Sequence, residues 1–154
     1  FKSAENCLNS SKDRYLMLEA AIKNYPFFEI SDIEYKKGNT SYTIETIELL
    51  YKKLPDIEGK INLIIGTDAF VNIFKWYRAE ELIKIVNFIV LKRETDELPK
   101  GKDFEKVSYN VLESESINIS STQIRNMVKS GEDISSFVPQ EVLRYINDNK
   151  LYNN

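Results

Sequence analysis

Two nearly continuous apolar runs, KINLII at residues 60–65 and FIVLKR at 88–93, most constrain what this chain can fold into. Neither alternates cleanly between apolar and polar residues, so both read as strands buried in a parallel sheet. Parallel strands cannot be joined by a tight turn and need a crossover, usually a helix. Residues 79–86 supply one, AEELIKIV, with Glu80 and Glu81 in the first turn, where the helix dipole favours negative charge.

The rest of the chain continues the alternation. A helical pattern starts at Ser10 or Ser11, carries Leu16, Met17, Ala20 and Ala21 on one side, and ends before Pro26. Residues 27–33 read as a strand, 36–39 as a loop, and 41–54 as a helix with Ile44, Ile47, Tyr51 and Leu54 in register. A polar loop over 94–105 leads to a strand over 106–112, and two helices close the chain. The last opens near Pro139 and presents Val142, Leu143 and Ile146. Strands alternating with helices predict an α/β domain with a mainly parallel sheet. Ligands of such domains sit beyond the carboxyl ends of the strands. That directs attention to Gly66-Thr67-Asp68 and Lys92-Arg93.

At 154 residues the chain is one domain long, with no internal repeat. The net charge of −3 argues against a broad nucleic-acid surface, though not against a small anion held by local cations. Its apolar runs are too short to span a bilayer, no signal peptide is visible, and the lone Cys7 fits a reducing compartment, so a cytoplasmic location is expected. With no histidine and one cysteine, the common zinc sites and Ser-His-Asp or Cys-His catalysis are excluded. Any chemistry must proceed without imidazole.

Four short motifs could carry it. In ISSTQIRNMVKSG, Ser120 with Gln123 forms a capping-box pattern, Ile124, Met127 and Val128 an apolar stripe, and Gly131 a stop. The free N–H groups of such a helix start, with Ser120, Ser121, Thr122 and Arg125, suit either a plain cap or a phosphate site. In IIGTDAF, Gly66 permits close backbone approach and Asp68 can accept ribose hydroxyls, or Thr67 or Asp68 can cap a short helix. Trp76 and Tyr77 of FKWYR can stack on a planar ring or pack into the core. Ser41 and Thr43 of SYT mark another helix start, able to cap or to bind a carboxylate.

Taken in order, SYTIET, IIGTDAF, WYRAEEL, FIVLKR, ISSTQIR and SFVPQEVLRYINDNKLY resemble the bacterial nicotinate-nucleotide adenylyltransferases, and RYLMLEAAI at 14–22 resembles that family's first helix after its variable loop. The resemblance runs from about residue 12 to 152. ISSTQIR alone marks the wider nucleotidyltransferase superfamily, whereas SYT, GTD and WYR together point to the pyridine-nucleotide branch. It implies one Rossmann-like nucleotidyltransferase domain over 1–154. The implied reaction moves AMP from ATP to nicotinate mononucleotide, giving the dinucleotide and pyrophosphate.

The resemblance also implies roles. Trp76 would stack on the nicotinate ring, with Thr43 and the Tyr77 backbone on its carboxylate. Gly66 and Asp68 would bind the ribose and base region of the nucleotide. Ser120, Ser121, Thr122 and the catalytic Arg125 would hold the ATP phosphates, with Lys2 and Arg93 as further phosphate contacts. Magnesium would be bound mainly through ATP phosphates and water, with no dedicated protein site.

One departure is large. The family opens with a strand, a glycine-rich turn and an H-x-G-H motif, and this sequence begins at Phe1 with no histidine. The expectation is an amino-terminally incomplete domain lacking its first β-α-β segment, inactive alone. Loss of a central strand would leave apolar sheet edges that aggregate or recruit a partner, and a homo-oligomer is compatible with this. Arg93 is followed by Glu94 rather than the family's usual Pro-Gly. Two other readings stay open: a non-catalytic nucleotide-binding fragment or pseudoenzyme, and a pantetheine-phosphate or cytidylyl transferase. Trp76 and SYT argue against the second.

Overall fold

The computed structural model describes residues 11–37, 40–113 and 119–153. They fall into two compact units, one drawn from Phe1–Lys36 and Asn118–Asn154 and the other from Lys37–Ile117. In chain order the helices are α1 (Ser11–Ile22), α2 (Ile33–Lys37), α3 (Thr43–Lys53), α4 (Thr67–Phe70), α5 (Ala79–Ile85), α6 (Ser121–Lys129) and α7 (Gln140–Asp148). The strands are β1 (Ile61–Gly66), β2 (Val86–Lys92) and β3 (Tyr109–Glu113).

The Lys37–Ile117 unit holds the sheet, in order β1-β2-β3 with both pairings parallel. Ile61 lies beside Val86 and Gly66 beside Leu91, so β1 ends almost level with the Lys92-Arg93 end of β2. Val86, Phe88 and Val90 point to one face and are fully buried. On that face they join Ile44 and Ile47 of α3, Phe70 of α4, Leu82 and Ile83 of α5, and Ile73 and Val107. Burial on both faces, expected from the apolar runs, is not found. Ile64 is 60% exposed and Leu112 55%, because within this unit the core gathers on the other face. Tyr51 ties the layers: its hydroxyl donates to Ile85 O at 2.7 Å and accepts from the Ile61 N–H at 2.8 Å. The third strand starts at Tyr109 rather than 106, since Phe104–Lys106 forms a 3-10 turn.

The other unit is helical in its described residues. Ile134, Val142 and Ile146 form its core, packed by Met17, Ala20 and Ala21 of α1 and Ile124, Met127 and Val128 of α6. The Tyr145 hydroxyl donates to Asp13 at 3.0 Å, and partial burial, then Asp13, raises its pKa. The expected strand at 27–33 is absent. Phe28 N–H instead closes a turn on Tyr25 O at 3.1 Å, Phe27 is 93% exposed, and α2 begins at Ile33. Strand-like composition gains nothing without a neighbouring edge, and no strand occurs among this unit's described residues. Lys36 and Lys37, expected in a loop over 36–39, belong to α2; Gly38 and Asn39 lie outside the described residues.

Candidate functional site

Gly66 ends β1 and stands at the N-cap position of α4, so the chain passes from strand to helix with no intervening loop. Its φ of −78° is open to any residue. The requirement is space: a Cβ built at Gly66 would lie 2.7 Å from Asp68 Oδ1. Thr67 is buried, and its hydroxyl donates to Leu91 O at 3.2 Å, stitching the end of β1 to β2. The motif therefore divides its labour: Thr67 is structural, and Asp68 stands exposed, its carboxylate without a hydrogen-bond partner among the described residues. Arg93 is also exposed just past β2, its backbone N–H donating to Asp96 Oδ2 at 3.2 Å.

SYT and WYR come together. The rings of Tyr42 and Tyr77 lie 4.4 Å apart at 36°. Tyr42 occupies the N-cap position of α3 and offers no side-chain cap, and the hydroxyl of half-buried Thr43 has no hydrogen-bond partner among the described residues. Trp76 follows a 3-10 turn at Ile73–Lys75 and is half-buried, one side against the core of this unit. The core-packing and ring-stacking readings are thus compatible for this residue, since only part of the indole is covered.

Sequence reasoning missed Arg78. It sits at the N-cap position of α5 with φ 52° and ψ 41°, a left-handed conformation that glycine adopts without steric cost. Its guanidinium meets Glu48 of α3 at 2.8 and 3.2 Å and Glu81 of α5 at 2.8 and 2.5 Å. The hydrogen bonds that Arg78 donates to Glu81, then to Glu48, raise the Arg78 pKa further, and the bond accepted from Arg78 lowers that of Glu81. The only advance signal was three polar residues of complementary charge, with nothing in their spacing to pair them.

The Glu81 contact has a pH signature. Its folded pKa lies below the ordinary value of 4.5, so its stabilisation is complete above that value and is lost as pH falls through the folded one. The Tm difference between wild type and Glu81→Gln should therefore be constant at neutral pH and vanish on acidification. The difference will be small, because the pair is partly exposed and screened. A difference that grows toward low pH would contradict this.

In the other unit, α6 starts as its sequence predicts. Gln123 N–H donates to Ser120 Oγ at 3.2 Å and Ser120 N–H donates to Gln123 Oε1 at 2.7 Å, completing a capping box. The helix ends in a Schellman arrangement at Gly131, φ 73°, with Glu132 N–H on Met127 O and Gly131 N–H on Val128 O. The box consumes the N–H groups of Ser120 and Gln123 and leaves those of exposed Ser121 and Thr122 as first-turn donors. Arg125 Nη2 donates to Thr122 Oγ1 at 3.0 Å, which carries the guanidinium back toward that helix start. The capping box and the remaining first-turn donors thus occupy one helix start, with Ser120 in the cap. Lys2 lies outside the described residues.

No group of three or more acidic, histidine or cysteine side chains capable of holding a metal occurs among the described residues. No helix among them is long and apolar enough to cross a membrane. A groove of about 330 Å³ lined by Phe74, Ala79, Ile83 and charged residues including Glu80 and Lys84 contains none of the sequence-designated site residues.

Residues 1–127 match the model of the cytidylyltransferase-like family. Relatives named as probable nicotinate-nucleotide adenylyltransferases include one from Hydrogenobaculum sp., 37% identical over 93% of this chain and 72% of its own length. Another, from Staphylococcus epidermidis, is 39% identical over 92% and 71%. Among solved structures, the Plasmodium falciparum nicotinic acid mononucleotide adenylyltransferase complexed with NaAD aligns with a TM-score of 0.71. It covers 97% of this chain and 78% of that one at 19% identity, and so speaks for the fold. The parallel sheet, the glycine-aspartate turn at its carboxyl end and these similarities agree: the chain belongs to the nicotinate-nucleotide adenylyltransferase family, on the nucleotidyltransferase fold.

Proposed function

We propose that the chain transfers AMP from ATP to nicotinate mononucleotide as a single nucleotidyltransferase domain over residues 1–154. Family membership supports the reaction. The observation that carries the residue assignment is the Tyr42–Tyr77 stack at 4.4 Å, which joins two motifs far apart in sequence. Beside it stand Thr43, with an unused hydroxyl, and Trp76, with part of its indole uncovered. Trp76 stacks on the pyridine ring, and Thr43 and the Tyr77 backbone N–H take its carboxylate. Asp68 and the Gly66 backbone bind ribose and base. Ser120, Ser121, Thr122 and Arg125 hold the triphosphate, aided by Arg93 and Lys2. A cytoplasmic location belongs to the same reading and is supported by the single cysteine.

The chemistry needs no general base. A phosphate oxygen of nicotinate mononucleotide, already anionic, attacks the α-phosphorus of ATP. The new P–O bond forms as the bond to the β-phosphate oxygen breaks, and pyrophosphate leaves with the negative charge. No proton changes hands, so a protein without histidine in this sequence can still contribute alignment and charge neutralisation. The donors of α6 and Arg125 are suited to the charge on the leaving phosphates. Magnesium, carried on the ATP phosphates, would supply further neutralisation.

The test is pyrophosphate release by the full-length protein from ATP with nicotinate mononucleotide, against ATP with phosphopantetheine. Turnover with the first alone is expected; turnover with the second alone, or with neither, overturns the assignment. Arg125→Ala should raise the ATP KM tenfold or more, since hydrogen bonds to charged groups contribute about 1.5–3 kcal/mol. Its effect on nicotinate mononucleotide should be slight. Unchanged ATP kinetics would remove Arg125 from the phosphate site.

A further inference from the structure

We infer that Arg78 is a positioning residue for the pyridine-nucleotide pocket, a clamp that fixes the Trp76-Tyr77 turn against α3. The inference rests on the reading of Trp76 and Tyr77 given above. Ala79 N–H donates to Trp76 O at 3.2 Å, so residues 76–79 form a tight turn with Arg78 third. At φ 52° that position favours glycine, so an arginine there carries a backbone cost that its side-chain bonds offset. The guanidinium is bonded to carboxylates on two helices, bidentate toward Glu48 and toward Glu81. Glu48 lies on the helix whose first turn carries Thr43 and whose N-cap residue, Tyr42, stacks on Tyr77. Turn and helix are therefore joined at two points, one aromatic and one ionic, and the proposed ring and carboxylate contacts lie beside them. Loss of the ionic point frees the turn to rotate about the aromatic one. That would move the indole and the Tyr77 N–H relative to Thr43 without touching the nucleotide-binding residues at Gly66 and Asp68.

A structural role and a positioning role separate cleanly in Arg78→Gly, which removes the clamp while relieving the backbone. In the full-length protein we expect a Tm close to wild type and an unchanged ATP KM. The KM for nicotinate mononucleotide should rise roughly tenfold, the scale on which small misplacements of binding groups act. Trp76 is the only tryptophan of this sequence, so the part of the emission that Trp76→Ala removes reports the turn, and acrylamide should quench that part more readily in the Arg78 variant. Arg78→Lys should recover part of the affinity. Glu48→Gln leaves the turn residue itself in place and should shift the same KM in the same direction. Wild-type affinity in both Arg78→Gly and Glu48→Gln overturns the clamp, as does an equal loss for both substrates with a lowered Tm. If Trp76→Ala spares nicotinate mononucleotide, the pocket reading falls. If Trp76→Ala is selective and the Arg78 and Glu48 variants are not, only the clamp falls.

Discussion

Trp76→Ala is expected to weaken nicotinate mononucleotide binding tenfold to a hundredfold while leaving ATP binding within a few fold. A base stacked on an aromatic side chain typically loses about 1–3 kcal/mol on alanine substitution, and a pyridinium ring should value the electron-rich indole face at least as much. The partner contacts at Thr43 and the Tyr77 backbone would survive, so binding falls without vanishing. One complication is built into the fold. The indole also packs against the core of the Lys37–Ile117 unit, so its removal opens a partial cavity and lowers the Tm. Trp76→Phe resolves this, since it keeps most of the packing and a smaller stacking face; it should restore the Tm more fully than the affinity. Calorimetric titration of each variant with both ligands gives the comparison. Equal losses for ATP and nicotinate mononucleotide in Trp76→Ala would mean that the indole is only a core residue.

The contrast between what could be read from the chain and what could not follows the range of the interactions. Ser120 and Gln123 are three residues apart, Gly131 closes the same helix, and all of it was legible because caps are local. β1, β2 and α5 were legible because apolar runs and helical spacing reflect burial. The assignment of residues 27–33 to a strand failed because a strand is made by its neighbour, and composition says nothing of whether an edge is offered. Ile64 failed in the same way: an apolar run looks the same whether one face is covered or two. The site splits along this line too. Its motifs were visible, yet the Thr67 bond to Leu91 O, the Tyr42–Tyr77 stack and the Arg78 bridge to Glu48 each join distant segments. Arg78 was hidden most thoroughly, because nothing in a sequence marks an arginine that must adopt a left-handed backbone.

Gly66→Ala should abolish much of the nucleotide affinity while sparing the fold, and the reason lies in where the added methyl goes. Its nearest neighbour is Asp68 Oδ1 at 2.7 Å, closer than a methyl and an oxygen can sit, and the only other atom within 4 Å among the described residues, chain neighbours aside, is the same residue's Cγ. The backbone at Gly66 is ordinary for an alanine, so nothing in β1 or α4 is forced to unfold. The clash is relieved by rotation of a short exposed side chain, which costs little stability but turns the carboxylate away from the position it would offer a ribose. Hydrogen bonds to a charged acceptor contribute about 1.5–3 kcal/mol each, so ATP affinity should fall tenfold to a hundredfold. A double-mutant comparison isolates the route. If the methyl acts through the carboxylate, Gly66→Ala has little further effect once Asp68 is already Ala, and the two losses are far from additive. Additive losses would instead mean that the methyl disturbs the contact between the Gly66 backbone and the nucleotide directly. A sharp fall in Tm with Gly66→Ala would show that the β1-to-α4 junction is tighter than the single near contact implies.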